Sequence, residues 1–233
     1  MVGGRRSRRP SKMSKAKFCA GPSDPTNGSR RSEASNSEPR RARPGQRPGQ
    51  PQKINKLLLM SFLNYLSEIK TFIFDVDGVF TNGELLVQED GRLLRSMNVK
   101  DGFAFKLALE KGYEIFIITG GRSEGVWRRF EGLGLPAGNY FAGQHDKLSC
   151  MRELIETERI NLDHCLYMGD DLPDYAPMRL VALACCPADA VPEIQAVSQY
   201  VSPKKGGLGA VRDVIERVLK VQDQWPQEKI TEL

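Results

Sequence analysis

TFIFDVDG, residues 71–78, sets four β-branched, aromatic or aliphatic positions ahead of two aspartates and a glycine. Its first half reads as a strand buried on both faces. The acids and the glycine read as the point where that strand leaves its sheet. Working outward, the same texture recurs. ELLVQEDGRLLRSMNV (84–99) predicts a β-hairpin turning at Glu89-Asp90-Gly91. DGFAFKLALEKG (101–112) predicts a helix with Asp101 as its N-cap and Gly112 as its stop. YEIFIITG (113–120) is a second buried strand, SEGVWRRFEGLG (123–134) a helix with a serine cap, NYFAG (139–143) a short strand and DKLSCMRELIETE (146–158) a helix. HCLYMGDD (164–171) and LVALACC (180–186) are two more buried strands, and GLGAVRDVIERVLKVQ (207–222) is a closing amphipathic helix. Strands alternating with helices predict an α/β, Rossmann-like fold: a parallel sheet flanked by helices, with a β-hairpin insertion after the first strand.

Upstream the texture differs. Residues 1–53 hold 14 Lys/Arg against 3 Asp/Glu and seven of the chain's 14 prolines, with almost no aliphatic side chains. Such a segment buries too little apolar surface to offset its ordering entropy, and it is expected to be a disordered basic extension. Residues 54–233 are expected to form the folded domain with a C-terminal tail. Met60 opens MSFLNYLSEIKTFIFDVDG, a sensible natural start, so the extension is read as untranslated. The whole-chain charge of +5 is therefore misleading, because the part expected to fold carries a net −6. That balance is no evidence for a nucleic-acid surface, and no nucleic-acid partner is expected. Cys19, Cys150, Cys165, Cys185 and Cys186 form no metal or disulfide spacing and read as buried thiols in a reducing cytoplasm. No apolar run approaches the roughly 18 residues that span a bilayer.

In an open parallel sheet the ligand crevice lies beyond the carboxyl ends of the strands. The first predicted strand ends in Asp75-Val76-Asp77-Gly78, the second in Thr119-Gly120 and the third in Gly169-Asp170-Asp171, while Lys147 opens a helix beside them. Converging carboxylates repel one another and call for a cation. Oxygen ligands with no His or Cys beside them favour Mg²⁺. The expected metal set is Asp75, Asp77 and Asp170. An Asp carboxylate can attack phosphorus to give an aspartyl-phosphate. Lys147 and the Thr119 hydroxyl, with Gly120, would orient the phosphoryl oxygens, and Asp77 would protonate the leaving alcohol and later activate water. Alone, D-x-D, G-D-D, Thr-Gly or a lysine is a turn or a surface scrap. In this order, each at a strand end, they point to Asp75, Asp77, Thr119 and Lys147 as catalytic residues.

FIFDVDGVFTNG, IITG, Lys147 and MGDDLPD resemble the four successive motifs of the haloacid dehalogenase superfamily. The resemblance implies the same roles: Asp75 as nucleophile and ligand, Asp77 as acid/base giving its backbone carbonyl to Mg²⁺, Thr119 and Lys147 on the phosphoryl group, and Asp170 on the metal. Asp171 and Asp174 are read as supporting acids. Gly78 and Thr119 are only 41 positions apart, room for a hairpin and a helix but no cap domain, as in the capless branch. MNVKDGFAFKLAL (97–109) and KKGGLGAVRDVIERVL (204–219) resemble the 3-deoxy-D-manno-octulosonate (Kdo) 8-phosphate phosphatases of lipopolysaccharide synthesis. That resemblance implies a cytoplasmic homotetramer whose hairpins assemble, with Asn98, Lys100, Asp101 and Gly102 near the sugar phosphate. Lys106 and Arg129 are expected either to meet the substrate carboxylate or to lie on a solvated helix face. Gly206-Gly207-Leu208-Gly209 is expected to close over a site. Where relatives commonly read Thr-Gly-Arg, this chain reads Thr119-Gly120-Gly121-Arg122, which puts the reach of Arg122 in question.

Two other functions compete. One is hydrolysis of a related nine-carbon 2-keto-3-deoxy sugar acid 9-phosphate. The other, of a different class, is nucleic-acid binding through the basic arm.

Overall fold

The computed structural model describes residues 62–226. The basic extension expected over 1–53 lies outside the described residues, as do the first positions of the expected domain. After helical turns over 62–68 (α1), the chain enters β1 (Thr71–Phe74) and then a hairpin, β2 (Leu86–Val87) with β3 (Leu93–Leu94). α2 (Val99–Glu110), β4 (Glu114–Thr119), α3 (Glu124–Gly132), β5 (Tyr140–Ala142), α4 (Lys147–Glu156) and β6 (Cys165–Met168) follow. The chain then runs through α5 (Tyr175–Met178), β7 (Leu183–Cys186), α6 (Pro192–Val197), β8 (Tyr200–Val201) and α7 (Ala210–Val221).

Six strands form one sheet in the order β5-β4-β1-β6-β7-β8, every neighbouring pair parallel. β1 sits between β4 and β6, with Phe72 opposite both Ile115 and Leu166. Period-2 alternation divides the strands' side chains between two cores. Phe72, Phe74, Ile115, Ile117, Leu166 and Met168 pack with Ala104 and Phe105 of α2 and with Val211, Val214, Ile215 and Val218 of α7. Ile73, Phe116, Ile118 and Tyr167 point the other way, against Met151 and Leu154 of α4 and Ile194 of α6. Both faces are therefore covered, which is why these strands read as continuous apolar runs. The α/β architecture with its hairpin insertion is the one the sequence predicts.

The boundaries shift for physical reasons. α2 starts at Val99, not beyond Asp101, because the Asn98 side chain caps it by accepting the Lys100 amide at 2.9 Å. The hairpin is shorter than expected: Leu86 pairs with Leu94 and Val87 with Leu93, around a turn closed by the Gly91 amide donating to the Gln88 carbonyl. α5, α6 and β8 were not visible in the sequence. Each spans at most six residues; Pro177 falls inside α5 and Pro192 opens α6, and neither helical segment is long enough to develop a helical period.

Candidate active site

β1 delivers Asp75 to the carboxyl edge of the sheet, where its amide donates to the Met168 carbonyl of β6 at 3.1 Å. The chain then turns tightly. The amides of Val79, Phe80 and Thr81 all reach the Val76 carbonyl, and the buried Thr81 hydroxyl accepts from the amides of Gly78 and Gly83 at 3.2 and 3.3 Å. Gly78 adopts φ +84° at the point where Asp170 approaches. A Cβ on Gly78 would fall within the Asp170 carboxylate. Gly169 plays the same part for Asp174, whose own Cβ takes the room a side chain at 169 would need.

α4 begins with Lys147, capped by Asp146. The buried Lys147 ammonium bonds Asp75 Oδ2 at 2.8 Å and Asp174 Oδ1 at 2.7 Å. Asp174 is fully buried and also accepts from the Tyr167 hydroxyl at 2.7 Å and from the Asp170 amide at 3.3 Å. Asp75, Asp170 and Asp174 each place a carboxylate oxygen within 4.8 Å of the others. One ammonium does not balance three carboxylates. Burial, then the Asp174 charge, pushes Asp75 up to about 7 despite its contact with Lys147. Burial, then the charges of Asp75 and Asp174, pushes Asp170 up to about 8. For Lys147 burial works toward a lower value, but the two carboxylates outweigh it and hold the ammonium above its ordinary value.

Among the described residues, Asp75 Oδ1 and Asp170 Oδ1 are buried without a hydrogen-bond partner. Orphaned buried oxygens are costly, and two of them beside a third carboxylate fit a divalent cation. The chemistry of this donor set, oxygen only, suits a hard ion.

The cleft above this cluster has a volume of about 320 Å³ and is lined also by Asp77, Thr119, Gly120, Gly121, Gln144 and His145. The buried Thr119 hydroxyl accepts from the Gly121 amide at 3.2 Å, and its carbonyl accepts from the Gln144 amide, which pins the end of β4 to the loop before α4. The Asp77 carboxylate stands outside the acid cluster and lines the same cleft. Arg95, just past β3, holds it through Nε to Oδ1 at 2.6 Å and Nη2 to Oδ2 at 3.0 Å. Arg95, Gln144 and His145 were missed in the sequence, and nothing local marks any of them.

The remaining expected residues divide. Asn98 caps α2 and reaches the Gly207 carbonyl at 3.4 Å. Lys100 is exposed at the start of that helix. Gly102 is buried beneath the Arg129 guanidinium, which occupies the space of a side chain there. Arg129 lines a separate cavity between the hairpin and α3, along with Arg122. Arg122 lies across Gly143, not over the cleft. Asp101 is not brought to the cleft: it is fully buried and its Oδ1 accepts the Arg212 amide at 2.7 Å, so it serves as a cap for α7, whose own N-cap is Gly209. Lys106 pairs with Glu110 on the exposed face of α2. Asp171 accepts the Leu172 amide and caps a short turn. The Gly206-Gly207 loop packs behind the turn at 78–82 and does not cover the cleft; the Gly207 amide donates to the Val79 carbonyl at 3.0 Å.

No family model matches the chain. It is 35% identical over 158 residues to the Yersinia pestis 3-deoxy-D-manno-octulosonate 8-phosphate phosphatase KdsC, covering 68% of this chain and 83% of that one. Among solved structures it is similar to a hydrolase assigned to subfamily III A of the HAD superfamily from Legionella pneumophila, with a TM-score of 0.71, 34% identity and 74% and 94% of the two chains covered. It is also similar to the Moraxella catarrhalis 3-deoxy-D-manno-octulosonate 8-phosphate phosphatase in complex with magnesium ion, phosphate ion and a KDO molecule, with a TM-score of 0.66, 35% identity and 69% and 91% covered. Among the described residues, no helix is long and apolar enough to cross a membrane.

Proposed function

This chain belongs to the Kdo 8-phosphate phosphatase family of the haloacid dehalogenase superfamily, and from that premise we propose that it hydrolyses 3-deoxy-D-manno-octulosonate 8-phosphate to 3-deoxy-D-manno-octulosonate and inorganic phosphate. The observation that carries the reading is Asp75: one carboxylate oxygen is anchored by Lys147, and the other is buried, unpartnered and beside Asp170 at the floor of a small polar cleft.

In the proposed reaction Asp75 attacks phosphorus while the bond to the sugar oxygen breaks, and Asp77 gives that oxygen a proton. Water then attacks the aspartyl-phosphate, Asp77 takes the water's proton, and phosphate leaves with the Asp75 carboxylate regenerated. Lys147 holds Asp75 in line, and Asp174 holds Lys147. The Thr119 hydroxyl and the Gly121 amide border the space for the phosphoryl oxygens. Asp75 and Asp170, with the Asp77 carbonyl, would hold Mg²⁺, which would supply charge neutralisation at the phosphoryl group. Asp174 stays with Lys147 and Tyr167, which already occupy its Oδ1.

The assembly is a homotetramer joined through the hairpin. Support comes from Leu86 and Val87, left 66% and 67% exposed, with Leu93 and Leu94 across from them: four apolar side chains on a two-stranded ribbon too small to stand alone in water. The cytoplasm is the compartment, in keeping with buried Cys150, Cys165, Cys185 and Cys186 as free thiols. Phosphate release measured on the eight-carbon and nine-carbon sugar acid phosphates, with and without Mg²⁺, tests the function. Mg²⁺-dependent release favouring the eight-carbon acid is expected. A kcat/KM roughly tenfold higher for the nine-carbon acid would overturn the substrate.

A further inference from the structure

Lys147 is the cation at the cleft floor, and both its close contacts are carboxylates of the chain itself. The second guanidinium or ammonium bonded to a cleft carboxylate is Arg95, which comes from the hairpin 18 residues away from its partner. The Arg95 side chain is 8% exposed, against 35% for Asp77, so the cation is the more deeply held member of the pair. Its fork meets the carboxylate with two roughly parallel N–H···O bonds, the geometry that fixes a carboxylate's plane as well as its position. The pair stands beside the turn at 119–121. A Cβ on Gly121 would lie 3.2 Å from Asp77 Oδ2, 3.3 Å from Arg95 Nη2 and 3.6 Å from the Thr119 hydroxyl. Glycine at 121 thus leaves the room that the clamped pair fills.

We propose that Arg95 is a positioning residue: its two-bond clamp fixes the Asp77 carboxylate toward the aspartyl-phosphate, for the step in which water is deprotonated. The inference rests on the phosphatase reading and adds the hairpin to the machinery. In that step the water oxygen bonds to phosphorus, its proton passes to Asp77, and the bond from phosphorus to the Asp75 oxygen breaks. A carboxylate free to rotate on its own side chain would meet the water less often. The alcohol leaves before this step, so loss of the clamp should slow the second half-reaction and spare the first for a leaving group that needs no proton.

The test uses the full chain with Mg²⁺ and p-nitrophenyl phosphate, followed by rapid mixing, for the unmodified protein, Arg95→Ala, Arg95→Lys and Asp75→Asn. For Arg95→Ala, kcat should fall by roughly 100-fold. KM should fall with it, kcat/KM should stay within about threefold, and a burst of about one p-nitrophenolate per site should precede slow turnover. Arg95→Lys, a point charge without a fork, should show the same burst and recover only part of the rate. A parallel fall in kcat and kcat/KM without a burst would assign Arg95 to substrate contact or to folding and overturn the proposal. Full recovery in Arg95→Lys would overturn it too, since charge alone would then suffice. Acid-quenched unmodified protein should carry phosphate that Asp75→Asn lacks. If it carries none, the covalent reading falls and this inference with it; if it does and Arg95→Ala still shows no burst, only the role of Arg95 falls.

Discussion

Gly78→Ala separates what the site needs from what the fold needs. Gly78 has φ +84°, where an alanine is strained by about 1–2 kcal/mol. The larger effect is local. The new methyl would fall within the Asp170 carboxylate, and even Oδ1, the farther oxygen, would be only 2.8 Å away. Contacts between carbon and oxygen in proteins begin at about 3.3 Å, so the carboxylate must retreat by on the order of 1 Å. Asp170 Oδ1 is one of the two unpartnered buried oxygens that fit the cation, and displacement on that scale costs roughly 100-fold in rate. The expected result is a variant that stays folded in urea titrations, loses about 1–2 kcal/mol of stability and about two decades of kcat, and needs more Mg²⁺ for half-maximal rate. Phosphate release across a Mg²⁺ titration measures the last two. A kcat within about threefold of the unmodified protein at unchanged Mg²⁺ demand would show that Asp170 does not hold the cation from this position.

Lys147→Met should destabilise the protein by about 3–5 kcal/mol in denaturant titration, because Asp75 and Asp174 lose the buried ammonium between them; a loss under about 1 kcal/mol would deny the pair that role. Burial sets Asp75 at about 7 and Asp170 at about 8 in the absence of a cation, so Mg²⁺ must displace protons. Calorimetry at neutral pH in two buffers of different ionisation enthalpy should report on the order of one proton released per ion, and affinity should fall as pH drops; zero release would contradict the cluster's assignment. Both folded values lie above the ordinary carboxylate range, so the folded state binds the extra protons and cation-free stability should decline as pH rises through neutrality, a trend that thermal melts should show reversed by Mg²⁺. Asp101→Ala should cost about 1–2 kcal/mol by uncapping α7 and leave KM nearly unchanged, whereas Asp101→Asn keeps an acceptor for the Arg212 amide; a large rise in KM for Asp101→Asn would return Asp101 to the substrate.

What the sequence makes legible is what the sheet's topology dictates. A strand covered on both faces has to be apolar throughout, so TFIF, EIFIIT and CLYM announce themselves, and in a parallel sheet their carboxyl ends have to share one edge. Asp75, Thr119 and Asp170 follow from that alone. The choice between caps does not. Asn98 and Asp101 are both good cap residues three positions apart, and Asp101 is drawn inside the helix because the start of α7, with only Gly209 as N-cap, donates the Arg212 amide to its carboxylate across 111 residues of chain. Arg95 is illegible for the same reason: LLRSMN predicts a strand end, and no local pattern says that the hairpin folds back far enough for its arginine to reach Asp77.

The spacing of the acids is a packing fact of a different kind. Asp174 rests where a side chain at Gly169 would stand, Asp170 where one at Gly78 would stand, and Gly206 lies so close to the Gly78 carbonyl that it has no room for a Cβ either. Three missing side chains, from three separate segments, let two carboxylates and one backbone turn approach to distances no other residue permits. A glycine read in isolation signals a turn. Its meaning here depends on which carboxylate arrives from another strand, so the sequence names the acids of this cluster, while the glycines between them set how closely a cation can be held.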